Sequence, residues 1–166
     1  AVQVSGSSST NIWRSTNSGA TWATTGSVKN WHAIATSSSG QYVFAGEWGG
    51  NLWRSSNYGS TWVELGDTDY AQNWASVASS ADGLDLMAAP SGGFLYESFD
   101  GGVSWFRYTG TGNQNWRSIA TSADGVTFIA AAYGGYIYTG DRPPSPAPTP
   151  SPTPLPTSQP TPLPTP

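Results

Sequence analysis

A net charge of −4 on 166 residues, with one Lys and five Arg scattered along the chain, excludes the clustered basic surface that a nucleic-acid backbone requires. The absence of Cys leaves neither a disulfide framework nor a thiolate metal site, and no apolar run reaches the roughly 18 residues of a membrane-spanning helix. Twelve of the 13 prolines lie at or beyond Pro143, which confines the foldable part to residues 1–141, one domain by length, with nine Trp, eight Tyr and five Phe to build its core.

Residues 1–4, Ala-Val-Gln-Val, read as strand at once. There is no initiator Met and no signal-like start, as expected of a processed chain or a fragment. Next comes a box, Ile12-Trp13-Arg14-Ser15-Thr16-Asn17-Ser18-Gly19-Ala20-Thr21-Trp22. It returns as Leu52-Trp53-Arg54-Ser55-Ser56-Asn57-Tyr58-Gly59-Ser60-Thr61-Trp62 and as Leu95-Tyr96-Glu97-Ser98-Phe99-Asp100-Gly101-Gly102-Val103-Ser104-Trp105. A truncated copy, Ile137-Tyr138-Thr139-Gly140-Asp141, runs into proline. Trp13 to Trp53 is 40 residues, followed by 43 to Tyr96 and 42 to Tyr138. A period of this size signals an array or a ring of blades.

Between boxes the order of segments is fixed. A variable loop leads to Asn30-Trp31, Asn73-Trp74 or Asn115-Trp116, then to an alternating segment beginning at His32, Ala75 or Arg117. Turns follow at Ser39-Gly40, Asp82-Gly83 and Asp124-Gly125, where Gly supplies the positive φ of a hairpin. A β-rich run (residues 42–45, 86–89 or 127–131) and a second Gly-Gly turn lead back to the box. Each repeat is thus four short strands joined by hairpins, with no helical period.

Four antiparallel strands per unit of about 40 residues make the blade of a β-propeller. The reading is all-β: about fourteen strands, or three and a half propeller blades over residues 1–141, followed by a polyproline II tail over residues 142–166. Propellers close with 4–8 blades to hide their edges. An arc of this length closes through an unusual ring, through a neighbour, or as part of a longer propeller.

In the box Ser-x-Asn/Asp-x-Gly-x-Thr/Ser-Trp, the Asn or Asp side chain is placed to accept hydrogen bonds from amides in its own turn. Gly takes the left-handed conformation, and the last Trp wedges between sheets. Asn17, Gly19, Asn57, Gly59, Asp100 and Gly102 are therefore structural turn residues. The pattern resembles the Asp-box (bacterial neuraminidase repeat) of sialidase-like β-propellers, clearest in Ser98-Phe99-Asp100-Gly101-Gly102-Val103-Ser104-Trp105. In that superfamily the box is a structural turn, usually remote from the active site. Asn17 and Asn57 stand where the family has Asp, which keeps the turn and removes a charge.

The resemblance also implies what a catalytic member would carry. Sialidases use an arginine triad, a Tyr/Glu nucleophile pair and an acidic acid/base. Here Arg14 and Arg54 are repeat-equivalent and Glu97 replaces them in the third copy, so they read as repeat consensus. A glycosidase of the xyloglucanase type needs two facing carboxylates. Asp82 and Asp124 sit at hairpin turns, and Glu47, Glu64, Asp67, Asp69 and Asp85 are unrepeated, with nothing marking a pair. A lone His32 makes no metal site, and Gly110-Thr111-Gly112 lacks the strand–helix context of a phosphate loop. No cofactor is expected. Trp31, Trp74 and Trp116 read either as inter-blade core or as one sugar-stacking platform per blade, as in propeller lectins.

The tail alternates Pro with Ser, Thr and Ala, which removes donors, fixes φ and leaves polyproline II. It suits dense O-glycosylation, with candidate sites at Ser145, Thr149, Ser151, Thr153, Thr157, Ser158, Thr161 and Thr165. It resembles the hydroxyproline-rich glycoproteins of algal and plant walls. No Asn-x-Ser/Thr sequon exists, so any glycan is O-linked. A plain linker to a further domain is the other reading. The expectation is a non-catalytic extracellular structural glycoprotein that associates with copies of itself, perhaps as a filament. The alternative is a carbohydrate-binding propeller on a stalk. Neither reading implies a nucleic-acid partner or a membrane span.

Overall fold

The computed structural model describes residues 9–66 and 71–142. Thirteen strands fall within them, and no helix. β1 (Thr10–Arg14) and β2 (Ala23–Lys29) make a hairpin, the outer half of a first blade. β3 (Trp31–Thr36), β4 (Val43–Gly50), β5 (Leu52–Ser55) and β6 (Val63–Leu65) form the second blade. β7 (Gln72–Ser79), β8 (Leu86–Gly93), β9 (Leu95–Ser98) and β10 (Phe106–Tyr108) form the third. β11 (Gln114–Thr121), β12 (Thr127–Ala132) and β13 (Ile137–Asp141) form the fourth. Every pairing is antiparallel between chain neighbours within a blade, as the repeat predicts. The strand expected at residues 1–4, and the tail from Pro143 on with its eight candidate glycosylation sites, lie outside the described residues.

Blades are stitched to one another near the axis. β4 runs on past its hairpin so that Trp48 and Gly50 pair with Asn73 and Gln72 of β7, and β8 does the same to β11. β4 and β8 are eight residues long for this reason, whereas β12, with no later blade among the described residues, is six. At the opposite end Ser38 N–H donates to Ala81 O at 2.9 Å, and Ala81 N–H to Ala123 O at 2.8 Å.

The strand period of two gives each blade two apolar faces. The downstream face of the second blade (Ala33, Phe44, Leu52, Leu65) packs on the upstream face of the third (Trp74, Val77, Leu86, Ala88, Tyr96). Met87, Ala89 and Leu95 repeat the arrangement against Trp116, Ile119, Phe128 and Ala130. A bulge after each first-strand tryptophan (Trp31/Ala33, Trp74/Ser76, Trp116/Ser118) lets the indole point upstream while the rest of the strand keeps its register. The bulged residue, His32, Ala75 or Arg117, is the one that sequence alternation alone misplaces. His32 lies against Trp48 at 4.6 Å, and burial followed by the charge of Arg117 lowers its pKa.

Trp74 is the centre of this packing: fully buried, its indole N–H donates to Gly50 O of the preceding blade at 3.0 Å, and its ring meets Tyr96 edge-on. Trp74→Ala is expected to lower the unfolding free energy by about 3–5 kcal/mol in denaturant titration. Trp74→Phe, which keeps most of the volume and loses the hydrogen bond, should cost roughly 1–2 kcal/mol.

Candidate functional site

The three boxes close alike. Ser15, Ser55 and Ser98 each accept from the amide of the box Gly at 2.8–2.9 Å. The Asn17 and Asn57 side-chain carbonyls accept from Thr21 and Thr61 amides at 2.9 Å, and Asp100 accepts from Ser104 N–H at the same distance. Two left-handed residues in succession make the turn: Ser18-Gly19, Tyr58-Gly59 and Gly101-Gly102. The sequence reading placed the second of each pair and missed the first, because Ser and Tyr give no hint of positive φ. The polar contacts of each box fall within the turn itself.

For Asp100, burial acts to raise the pKa, but hydrogen bonds from Ser104, Ser98 and Val103 outweigh it and hold the carboxyl below its ordinary value. Burial raises the pKa of Asp85 and Glu97, with Arg142 opposing.

Trp31, Trp74 and Trp116 are 2%, 0% and 0% exposed. Each meets the third-strand aromatic of its own blade edge-on: Trp53 at 5.9 Å, Tyr96 at 5.4 Å and Tyr138 at 5.2 Å. Trp116 N–H donates to Gly93 O, repeating the Trp74 bond, while Trp31 turns to Ser27 O. With neither face open to solvent, these rings cannot stack a sugar where they stand; they occupy the inter-blade core, the first of the two readings the sequence allowed.

The box arginines reach across blades. Arg14 Nη1 donates to Ser60 Oγ at 2.6 Å, and Arg54 Nη1 to Gly101 O at 3.1 Å, so each ties its strand to the next box turn. Their counterpart Glu97 faces the charge of Arg142 instead. Arg142, which composition assigns to the tail, is 3% exposed. Its guanidinium donates to the carbonyls of Gly125 and Leu86 and lies over the Phe99 ring at 5.3 Å. It is the last ordered anchor before the proline segment. Among the other carboxylates, Glu47 pairs with Lys29 at 3.1 Å and Glu64 accepts from Asn51. Asp82 and Asp124 accept amide hydrogen bonds in their own turns, as their hairpin positions predict. Asp67 and Asp69 lie outside the described residues.

The two ends of the arc differ from its middle. In the fourth blade Ile129 is 46% and Ile137 69% exposed, although their equivalents Phe44, Met87, Leu52 and Leu95 are at most 3% exposed. Ala120 is exposed on the same face, where Ala78 of the third blade is buried. In the first blade Trp13 and Trp22 are 42% and 50% exposed, while Trp53, Trp62, Tyr96 and Trp105 at the same positions pack into inter-blade clusters. Between the first hairpin and the second blade lies an open cleft of about 340 Å³, bordered by Ile34, Val43, Tyr58 and Trp62. Neither end face was singled out in the sequence, because the apolar pattern is the same in every blade and only the neighbour is missing.

No family model and no curated protein matches the chain. Solved structures do. An ancestral GH74 enzyme aligns over 78% of this chain and 20% of its own at 21% identity, TM-score 0.62. YCF48 bound to a D1 peptide aligns over 69% and 38% at 15% identity, TM-score 0.58. A nidogen/laminin complex aligns over 72% and 48% at 15% identity, TM-score 0.59. The fold is a β-propeller arc. It spans less than half the length of each of these neighbours, and identities this low establish the fold alone.

Two outcomes follow from the turn and anchor chemistry. Asp100, with its pKa depressed in the folded state, stabilises the fold above the unfolded carboxylate pKa and loses that contribution as pH falls through the folded value. Asp100→Asn, which copies the other two boxes, should be nearly neutral at pH 7 and lose less stability than wild type on acidification, read as Tm against pH. Arg142→Ala, which strips buried carbonyls and carboxylates of their cation, should cost about 3 kcal/mol in chemical denaturation.

Proposed function

We propose that this chain is a non-catalytic structural glycoprotein of the extracellular space or cell surface, whose propeller arcs associate with copies of themselves while the proline-rich segment carries O-linked glycans. The observation that carries the reading is the fourth blade's outward face. Ile129 and Ile137 stand in solvent at positions that the same chain buries twice between its own blades. Contiguous exposed apolar surface of this kind marks an interaction site.

Further support comes from the residues that catalysis would require. The box arginines bind neighbouring turns, and the described carboxylates Glu47, Glu64, Asp82 and Asp124 are engaged by local partners. The Asp-box likeness agrees with a structural use of the repeat, since its hydrogen bonds close on themselves. The tail composition supports glycosylation at Ser145, Thr149, Ser151 and the later Ser and Thr positions.

Electron microscopy and sedimentation of native material, with intact-mass analysis of the same sample, test the proposal. Concentration-dependent ordered polymers carrying pentose or hexose mass are expected. A glycan-free monomer at every concentration would overturn it and favour a linker tail.

A further inference from the structure

Resting on that reading, we infer that the contact between copies is head-to-tail and reproduces the internal blade–blade interface, the fourth blade of one copy docking on the first blade of the next. The fourth blade presents Ala120, Ile129 and Ile137 on one face, with Phe128 and Ala130 turned the other way into the third blade. These are the positions that Phe44 and Leu52, then Met87 and Leu95, use to cover the blade that follows.

The surface that such a face covers inside the chain is an upstream face bearing a third-strand aromatic and the terminal box Trp. Tyr96 and Trp105 play those parts opposite Leu52 and Leu65. In the first blade the same two positions are Trp13 and Trp22, both largely exposed. Thr24, the cross-strand partner of Trp13, shares that face and is also exposed. The molecule therefore ends in the two halves of an interface it builds twice internally. Because the halves are different surfaces, the contact is heterologous, and it propagates as a ring or a filament according to the rotation it imposes.

The outer rim fits the same picture. Downstream faces project polar links to the next blade at the box level: Thr25 Oγ1 donates to Gly59 O at 2.5 Å, and Arg14 and Arg54 reach the next box turn. On the fourth blade, Thr139 and Asp141 occupy the open face beyond Ile137, with Thr127 Oγ1 bonded to Asp141 Oδ1 at 3.0 Å. Polar groups there lie opposite the hydroxyl- and Arg-bearing first box of an incoming copy.

The chain has no cysteine, so introduced thiols report contacts without background. Full-length Ile137→Cys and Thr24→Cys variants are treated with a short bis-maleimide, alone, mixed, and as the double variant. The expected result is no cross-link from either single variant, heterodimers from the mixture, and a ladder of covalent oligomers from the double variant. A dimer from Ile137→Cys alone would mean an isologous face-to-face contact and overturn the head-to-tail assignment while leaving self-association standing. Polymers by sedimentation without any cross-link would overturn the choice of faces in the same way. Monomers throughout would overturn both this inference and the self-association it rests on. Ile129→Asp, at an exposed position, should raise the concentration needed for association at least tenfold while leaving the monomer's Tm unchanged. Unaltered association in that variant would also overturn the inference.

Discussion

Everything in this arc depends on one interaction, the seating of a first-strand indole under the end of the preceding blade. The second strands of the second and third blades run two or three residues beyond what their own hairpins need, and the last Gly of each offers its carbonyl to the next tryptophan. A buried indole N–H left without an acceptor would cost more than its hydrogen bond gains, so blade spacing is set at each such seat. The ring then meets the third-strand aromatic edge-on, which fixes how far the sheet twists before the next blade begins. The first interface is built differently. Trp31 donates to Ser27, and the indole nitrogens of Trp53 and Trp62 are buried without a protein partner among the described residues.

The architecture was legible because it is repetitive. One box read three times gives the strand, turn and strand of each outer hairpin, and the Asn-Trp pairs locate the inner strands. What escaped the sequence was each feature that needs a neighbour to define it. The bulge at His32, Ala75 and Arg117 exists because the indole must point upstream while Ala33, Ser76 and Ser118 resume the pleat. The reach of Arg14 and Arg54 into the following turn is invisible in a one-dimensional repeat, where both look like surface consensus. Arg142 is the sharpest case. Composition attaches it to the proline segment, yet its guanidinium occupies the bottom of the third and fourth blades.

The site was legible to a lesser degree for a related reason. Sequence can nominate a tryptophan but cannot say which side of it is covered. Trp31, Trp74 and Trp116 carry the strongest repeat signal because they are core, and Trp22, which repeats as faithfully, is exposed only because of where its blade lies in the arc. Repetition therefore identifies what holds the fold together. Function enters where the repeat stops being satisfied by its own next copy.

That distinction bears on why an open arc would be kept at all. A closed propeller conceals every blade face, and its association with other molecules must be built from loops on top of the ring. An arc keeps two blade faces in water at a standing hydrophobic cost, recovered only when another surface of the same shape arrives. Since both faces belong to one molecule and differ from each other, an isologous pair would bring like surface to like surface and leave the second end open. Heterologous contact covers both, and it orients the chains so that the segment beyond Arg142 leaves every subunit at an equivalent place. A proline-rich segment cannot donate hydrogen bonds at its prolines and so extends no sheet. Its place at the end of the last ordered strand leaves the blade faces as the surfaces through which copies of this chain can meet.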